Sequence, residues 1–191
     1  MDATKSPDAR ERIIETAYEL FTRRGIRDVG VDEVVAKANV AKTTLYRHFP
    51  SKDELVLAFL AEREQQWTVD IVDRQSAQRA DDPEDQLLAI FDVFDDWFRK
   101  RTDYEACSFV KVLMEMGGEG PIGQACIAHL DNIRSIVRDR ARRAGLKKPA
   151  EFAASFNILM KGSIVAAAEG DLSAARRAKT MAVRLIDEYR T

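Results

Sequence analysis

Apolar residues recur along this chain at intervals of three and four, and glycine and proline fall between the runs rather than inside them. No strand-like alternation is sustained, so the pattern predicts an all-α fold of about nine helices. A first helix is expected from near Ser6 and Pro7, with serine as cap and proline in the first turn. Ile13, Ala17, Leu20 and Phe21 give it one apolar stripe, and Gly25 suits its end. Residues 31–38 form a second helix with Val31, Val34 and Val35 inward. Residues 42–49 form a third with Leu45 and Phe49 inward. Ser51 and Glu54 have the spacing of a capping box and open a fourth helix. It runs through Leu55, Phe59 and Trp67 to about Ser76. Asp82-Pro83-Glu84 carries three start signals for a fifth helix, rich in aromatic residues. A shorter helix begins at Ala106 and is broken by the glycine-rich stretch 117–121. Further helices follow at 122–144, at 149–169 and from Asp171 to Arg190. The domain boundary is expected inside the fourth helix, dividing the chain into 1–55 and 56–191.

Composition adds constraints. The chain has 191 residues, 46% hydrophobic, with a formal net charge of -2. That suffices for a core, and any affinity for a polyanion must come from locally concentrated positive charge. No apolar run approaches the roughly 18 residues of a membrane span, and the first twelve residues, MDATKSPDARER, lack the apolar region of a signal peptide. Cys107 and Cys126 have neither metal-site nor disulfide-framework spacing and read as buried thiols. A cytoplasmic protein without membrane partner, metal or cofactor is expected.

Residues 31–55, VDEVVAKANVAKTTLYRHFPSKDEL, carry the most chemistry. Two short helices joined by a tight turn are the build of a helix-turn-helix, in which the first helix braces the second and the second enters the major groove. Ala36 and Ala38 are small enough for the crossing. Asn39 tolerates the left-handed backbone that the turn demands. On the second helix Lys42, Thr43, Thr44, Tyr46, Arg47 and His48 are left for solvent or DNA. Threonine methyls can touch thymine, and hydroxyls can bond bases or phosphates. Lys52, in the first turn of the fourth helix, adds an ammonium to open amides and makes a candidate phosphate site.

These positions together resemble the N-terminal domain of the TetR family of transcriptional regulators. Val31, Ala36, Val40, Thr44, Leu45, Tyr46, His48, Phe49, Ser51, Lys52 and Leu55 fall at the family's places, and Ile13, Ala17, Phe21 and Gly25 fit its first helix. Two departures stand in the motif: Asn39 replaces the usual turn glycine, and Ala41 replaces a capping serine.

The resemblance implies a helical C-terminal domain that dimerises and encloses an effector pocket; a twofold dimer would read a palindromic double-stranded DNA operator, and no enzymatic activity is expected. The last two helices have stripes suited to a homodimer, with Phe156, Gly162, Ala166, Ala174, Ala178, Met181 and Leu185 as interface candidates. Phe91, Phe94, Trp97, Phe109, Met114, His129 and Met160 are candidates to line a pocket for a hydrophobic or amphipathic small molecule. The expected function is repression relieved by that ligand. Two alternatives are a DNA-binding protein without effector and an all-α enzyme. Against the enzyme, His48 and His129 lie in different predicted domains and no HExxH, GxSxG or phosphate-loop motif is present.

Overall fold

A computed structural model describes residues 8–100 and 107–190 of the chain. Among these residues the secondary structure is helical throughout, in two compact units. Of the described residues, the first unit comprises those up to Arg63 together with Ser108–Ile127, and the second comprises the others. No helix among the described residues is long and apolar enough to cross a membrane.

The first unit holds α1 (Ala9–Arg24), α2 (Val31–Ala38), α3 (Lys42–His48), α4 (Lys52–Arg63), α6 (Ser108–Met116) and the opening turns of α7 (Pro121–Arg143). Ser6 and Pro7, the expected start of α1, lie outside the described residues. The cap is Asp8, whose Oδ1 accepts the Glu11 amide at 2.9 Å while Glu11 Oε2 accepts the Asp8 amide at 2.8 Å. This reciprocal box satisfies two of the helix's open donors. It also holds the Asp8 carboxyl below its ordinary value, chiefly through the Glu11 amide. Gly25 ends α1 with φ of 87°, a conformation that side chains with a Cβ avoid. Ile13, Ala17 and Phe21 are buried, and Phe59 of α4 meets Phe21 and Tyr18 edge-on, each at 5.6 Å between centroids.

The continuous fourth helix expected to Ser76 is α-helical only to Arg63; Glu64–Gln75 is wound as a π-helix. The burial pattern fits this winding. Arg63, Trp67, Thr68 and Val72 are buried while Ile71 is not, a step of four to five residues rather than the 3.6 of an α-helix. The first compact unit therefore extends past residue 55 through Leu55, Val56, Phe59 and Leu60, all buried.

The second unit packs α5 (Pro83–Lys100), α8 (Pro149–Ala168) and α9 (Ala174–Arg190) together, with the π-helix against α5. Ala106 lies outside the described residues. Trp67 stacks on Phe94 at 5.4 Å, and Phe91 meets Phe156 at 5.1 Å. One cation is built into this core. Arg140 of α7 is buried and donates to Ser76 Oγ (2.6 Å), to the Gln86 carbonyl (3.1 Å) and to the carbonyl and Oδ1 of Asp73 (2.8 Å each). Burial lowers its pKa, and Asp73 opposes that shift.

Candidate nucleic-acid interface

The turn between α2 and α3 is tight because Asn39 adopts the left-handed conformation, with φ of 51° and ψ of 56°. Its amide and that of Val40 bond back to the Ala36 and Val35 carbonyls, closing α2. Ala38 is buried under the turn, whereas Ala36 is exposed and takes no part in the crossing. Val34 is the deeply buried valine of α2; Val31 and Val35 are half-buried.

The seven residues of α3 follow from Ala41, which caps through its carbonyl alone and offers no side-chain acceptor. Leu45 and Phe49 are buried and fix the roll of the helix. That roll exposes Lys42, Thr43, Tyr46 and Arg47 and half-exposes Thr44 and His48. Six of the sequence-predicted side chains thus emerge from one short helix. Two further groups belong to this surface. The Arg10 guanidinium lies 5.5 Å over the Phe49 ring, and Asp32 of α2 pairs with Lys42. Neither has a local pattern in the sequence that reveals it, because each partner comes from a different helix.

Lys52, a candidate for phosphate contact, also bonds within the protein. It is half-buried, and its Nζ donates to the Ile26 carbonyl at 2.5 Å. Part of its hydrogen-bonding capacity is therefore directed at the protein's own backbone. Ser51 caps α4 as expected, accepting the Glu54 amide at 3.1 Å.

The candidate pocket residues fall in two units. Phe109 and Met114 belong to α6 in the first, and the other five belong to the second. Met114 is 79% exposed, which removes it from any interior lining, because α6 turns Phe109 and Val112 inward instead. Phe91, Phe94, Phe109 and Met160 are buried, and Trp97 is half-buried, 4.4 Å from Trp67. His129 is half-buried with Nδ1 2.5 Å from Glu64 Oε2, and Asn132 donates to Glu64 Oε1 at 2.6 Å.

The interface candidates separate as well. Phe156, Ala174 and Ala178 are buried in the chain's own core and are withdrawn from any outer face. Gly162, Ala166, Met181 and Leu185 remain at least partly accessible. The structure adds Ile158, 71% exposed, and Val165, 52% exposed, to the same side of α8. A groove of about 260 Å³ lined by Ser155, Leu159, Met181, Arg184, Leu185 and Glu188 runs between α8 and α9. The positions 155, 158, 159, 162, 165 and 166 form a helical stripe visible in the sequence, but α8 is apolar on all sides, so periodicity alone does not choose between stripes.

Comparison with known proteins follows the same division. Residues 13–59 match the model of bacterial regulatory proteins of the tetR family. The chain is 32% identical over 78 residues to the HTH-type transcriptional regulator SrpR of Pseudomonas putida, covering 41% of this chain and 37% of that one. The match therefore spans well under half the length of this curated relative. The fold resembles that of SCO4454, a TetR-family transcriptional regulator from Streptomyces coelicolor, with TM-score 0.86 and 24% identity over 96% of each chain. It also resembles the multidrug binding protein EbrR complexed with malachite green, with TM-score 0.73 and 17% identity over 94% of this chain and 99% of that one. At these identities the structural likeness establishes a shared fold.

Proposed function

We propose, starting from a chain that belongs through residues 13–59 to the TetR family of bacterial regulatory proteins, that this protein is a DNA-binding transcriptional regulator acting as a ligand-released repressor. The observation that carries the reading is α3. A seven-residue helix, locked by Leu45 and Phe49, presents Lys42, Thr43, Tyr46 and Arg47 on one exposed surface beyond the left-handed Asn39 turn. Two cations, a hydroxyl and a phenol on such a helix match the mixture of phosphate and base-edge contacts used in the major groove.

Twofold symmetry completes the reading. The Ile158, Val165 and Met181 face is large-residue apolar surface with no intramolecular cover, and the groove beside it accepts side chains. Such patches mark interaction sites. A second copy of the chain, meeting this face by its own α8 and α9, gives a self-complementary contact. A dimer then carries two α3 helices and reads a palindromic operator. The ligand is a hydrophobic or amphipathic molecule held near the Trp67, Phe94 and Trp97 aromatic cluster, whose rings lie 4.4 to 6.2 Å apart. EbrR, a multidrug binding protein with a similar fold, is complexed with malachite green. Ligand binding lowers operator affinity by favouring a state in which both half-sites are not engaged together.

Selection of duplexes from a random pool tests the reading. Wild-type protein is expected to enrich an inverted repeat. K42A is expected to weaken binding across sequences and reduce the salt slope of log K by about one. Enrichment of no sequence, or an unchanged slope in K42A, refutes it.

A further inference from the structure

Residues 25–30, between α1 and α2, form no regular structure, and four of their backbone groups are held by charged side chains. Glu115 of α6 accepts the Ile26 amide at 2.9 Å through Oε2 and the Arg27 amide at 2.6 Å through Oε1. Lys52 of α4 takes the Ile26 carbonyl at 2.5 Å, so both peptide groups of Ile26 are gripped. Lys111, one turn before Glu115, donates to the Thr22 carbonyl at 2.7 Å, and Arg24 donates to the Asp28 carbonyl at 2.8 Å. The approach is close. A Cβ on residue 25 would lie 2.8 Å from Glu115 Oε2, so Gly25 serves the carboxylate as well as its own positive φ.

This loop determines where α2 begins. Gly30 caps α2 without a side-chain acceptor, so the local hold on the entry to α2 is Arg24, which bridges the exposed Asp28 carbonyl and Glu33. Ile26 and Val29 are buried and anchor the loop by packing, but burial sets depth better than orientation. The two bonds to Glu115 are directional and charge-assisted, about twice as strong as neutral ones. They also come from 89 and 88 residues away in sequence.

We propose that Glu115 is a positioning residue for DNA recognition: its carboxylate clamps the Ile26 and Arg27 amides, orients the loop before α2, and so aims α3. The proposal rests on the reading of α3 as the DNA-reading helix. Glu115 makes no contact with DNA in this scheme. It assigns α6 a part in setting DNA affinity, since any shift of α6 moves a carboxylate that two amides follow.

The test uses the full chain, with E115Q compared against E119Q as a control for loss of one exposed negative charge. Amide hydrogen exchange by NMR reports the clamp directly. In E115Q the Ile26 and Arg27 amides are expected to exchange at least about tenfold faster while those of Ile13 and Phe21 keep their protection. Affinity for a duplex selected by the wild-type protein is expected to fall about tenfold relative to an unrelated duplex, with an unaltered salt slope. Loss of charge alone predicts the reverse, tighter binding to both duplexes, as expected for E119Q. Unchanged exchange at Ile26 and Arg27, or faster exchange with the affinity ratio intact, overturns the proposal. If wild type binds no duplex at all, the regulatory reading itself falls, whereas wild-type binding with an unaffected E115Q removes only the role of Glu115. Should E115Q not fold, E115D keeps the charge but withdraws the carboxylate by one methylene, and the same two readouts decide.

Discussion

Lys42 Nζ lies 2.6 Å from Asp32 Oδ1, an ion pair that spans the turn between α2 and α3 with both side chains more than half exposed. Asp32 raises the Lys42 pKa, first through this hydrogen bond and then through its charge. The same ammonium is the first cation of the helix assigned to DNA, so a phosphate and Asp32 compete for it. D32N is expected to bind duplex DNA roughly two- to fivefold tighter at low salt, the range of an exposed ion pair, with the gain shrinking at high salt. Fluorescence anisotropy over a salt series measures this. Equal or weaker binding by D32N excludes the competition.

The outer stripe of α8 gives a second expectation. Ile158 is 71% exposed and lies outside the chain's own core. I158E is expected to convert a dimer to a monomer in sedimentation analysis while leaving the helical circular dichroism intact. A variant that stays dimeric at micromolar concentration would place the interface elsewhere.

Asn39 sits at φ of 51°. A residue with a β-carbon and no local hydrogen bonding pays about 1–2 kcal/mol for that conformation. N39A is therefore expected to lose about 1 kcal/mol of stability in urea denaturation, while N39G stays within about 0.5 kcal/mol of wild type. Equal losses for both would mean that the side chain, not the backbone, matters at this turn.

Arg140 joins α7 to the Ser76 hydroxyl, the Gln86 carbonyl and Asp73 from a buried position. R140M keeps much of the volume and strands those acceptors. A loss of about 2–4 kcal/mol is expected. The readout is the midpoint of chemical denaturation, and a neutral R140M would show that water replaces the guanidinium fully.

The cap of α1 carries a pH dependence. Asp8 is depressed in the fold below 3.8, mainly by the Glu11 amide. A lowered carboxyl contributes stability that is complete above its ordinary value and is lost as pH falls through the depressed one. The melting-temperature difference between wild type and D8A is thus expected to be present at neutral pH and to vanish once pH has fallen through the depressed value. A difference that persists there would assign the effect to packing.

Much of the first unit is legible locally. Gly25, Asn39 and Ser51 each mark a helix boundary, and Leu45 and Phe49 disclose the inner side of α3 by spacing. These signals depend on residues within one turn of each other, which is why they survive reading in one dimension. The winding of Glu64–Gln75 is different. An α-helix and a π-helix accept the same residues, and only neighbours that require Val72 rather than Ile71 inward select between them.

Local patterns along the chain set the helical class, the turn at Asn39 and the polar surface of α3, and carry the match of residues 13–59 to the tetR family model. Tertiary structure alone decided that Lys52 turns to Ile26, that Glu115 holds the same residue, that Phe156 and Ala178 are core, and that Ile158 is not. The reason is physical. Capping, turn and amphipathic preferences act between residues a few positions apart, whereas a charged side chain takes the nearest unpaired backbone group wherever folding brings one. An all-round apolar helix such as α8 buries whichever stripe its neighbours cover.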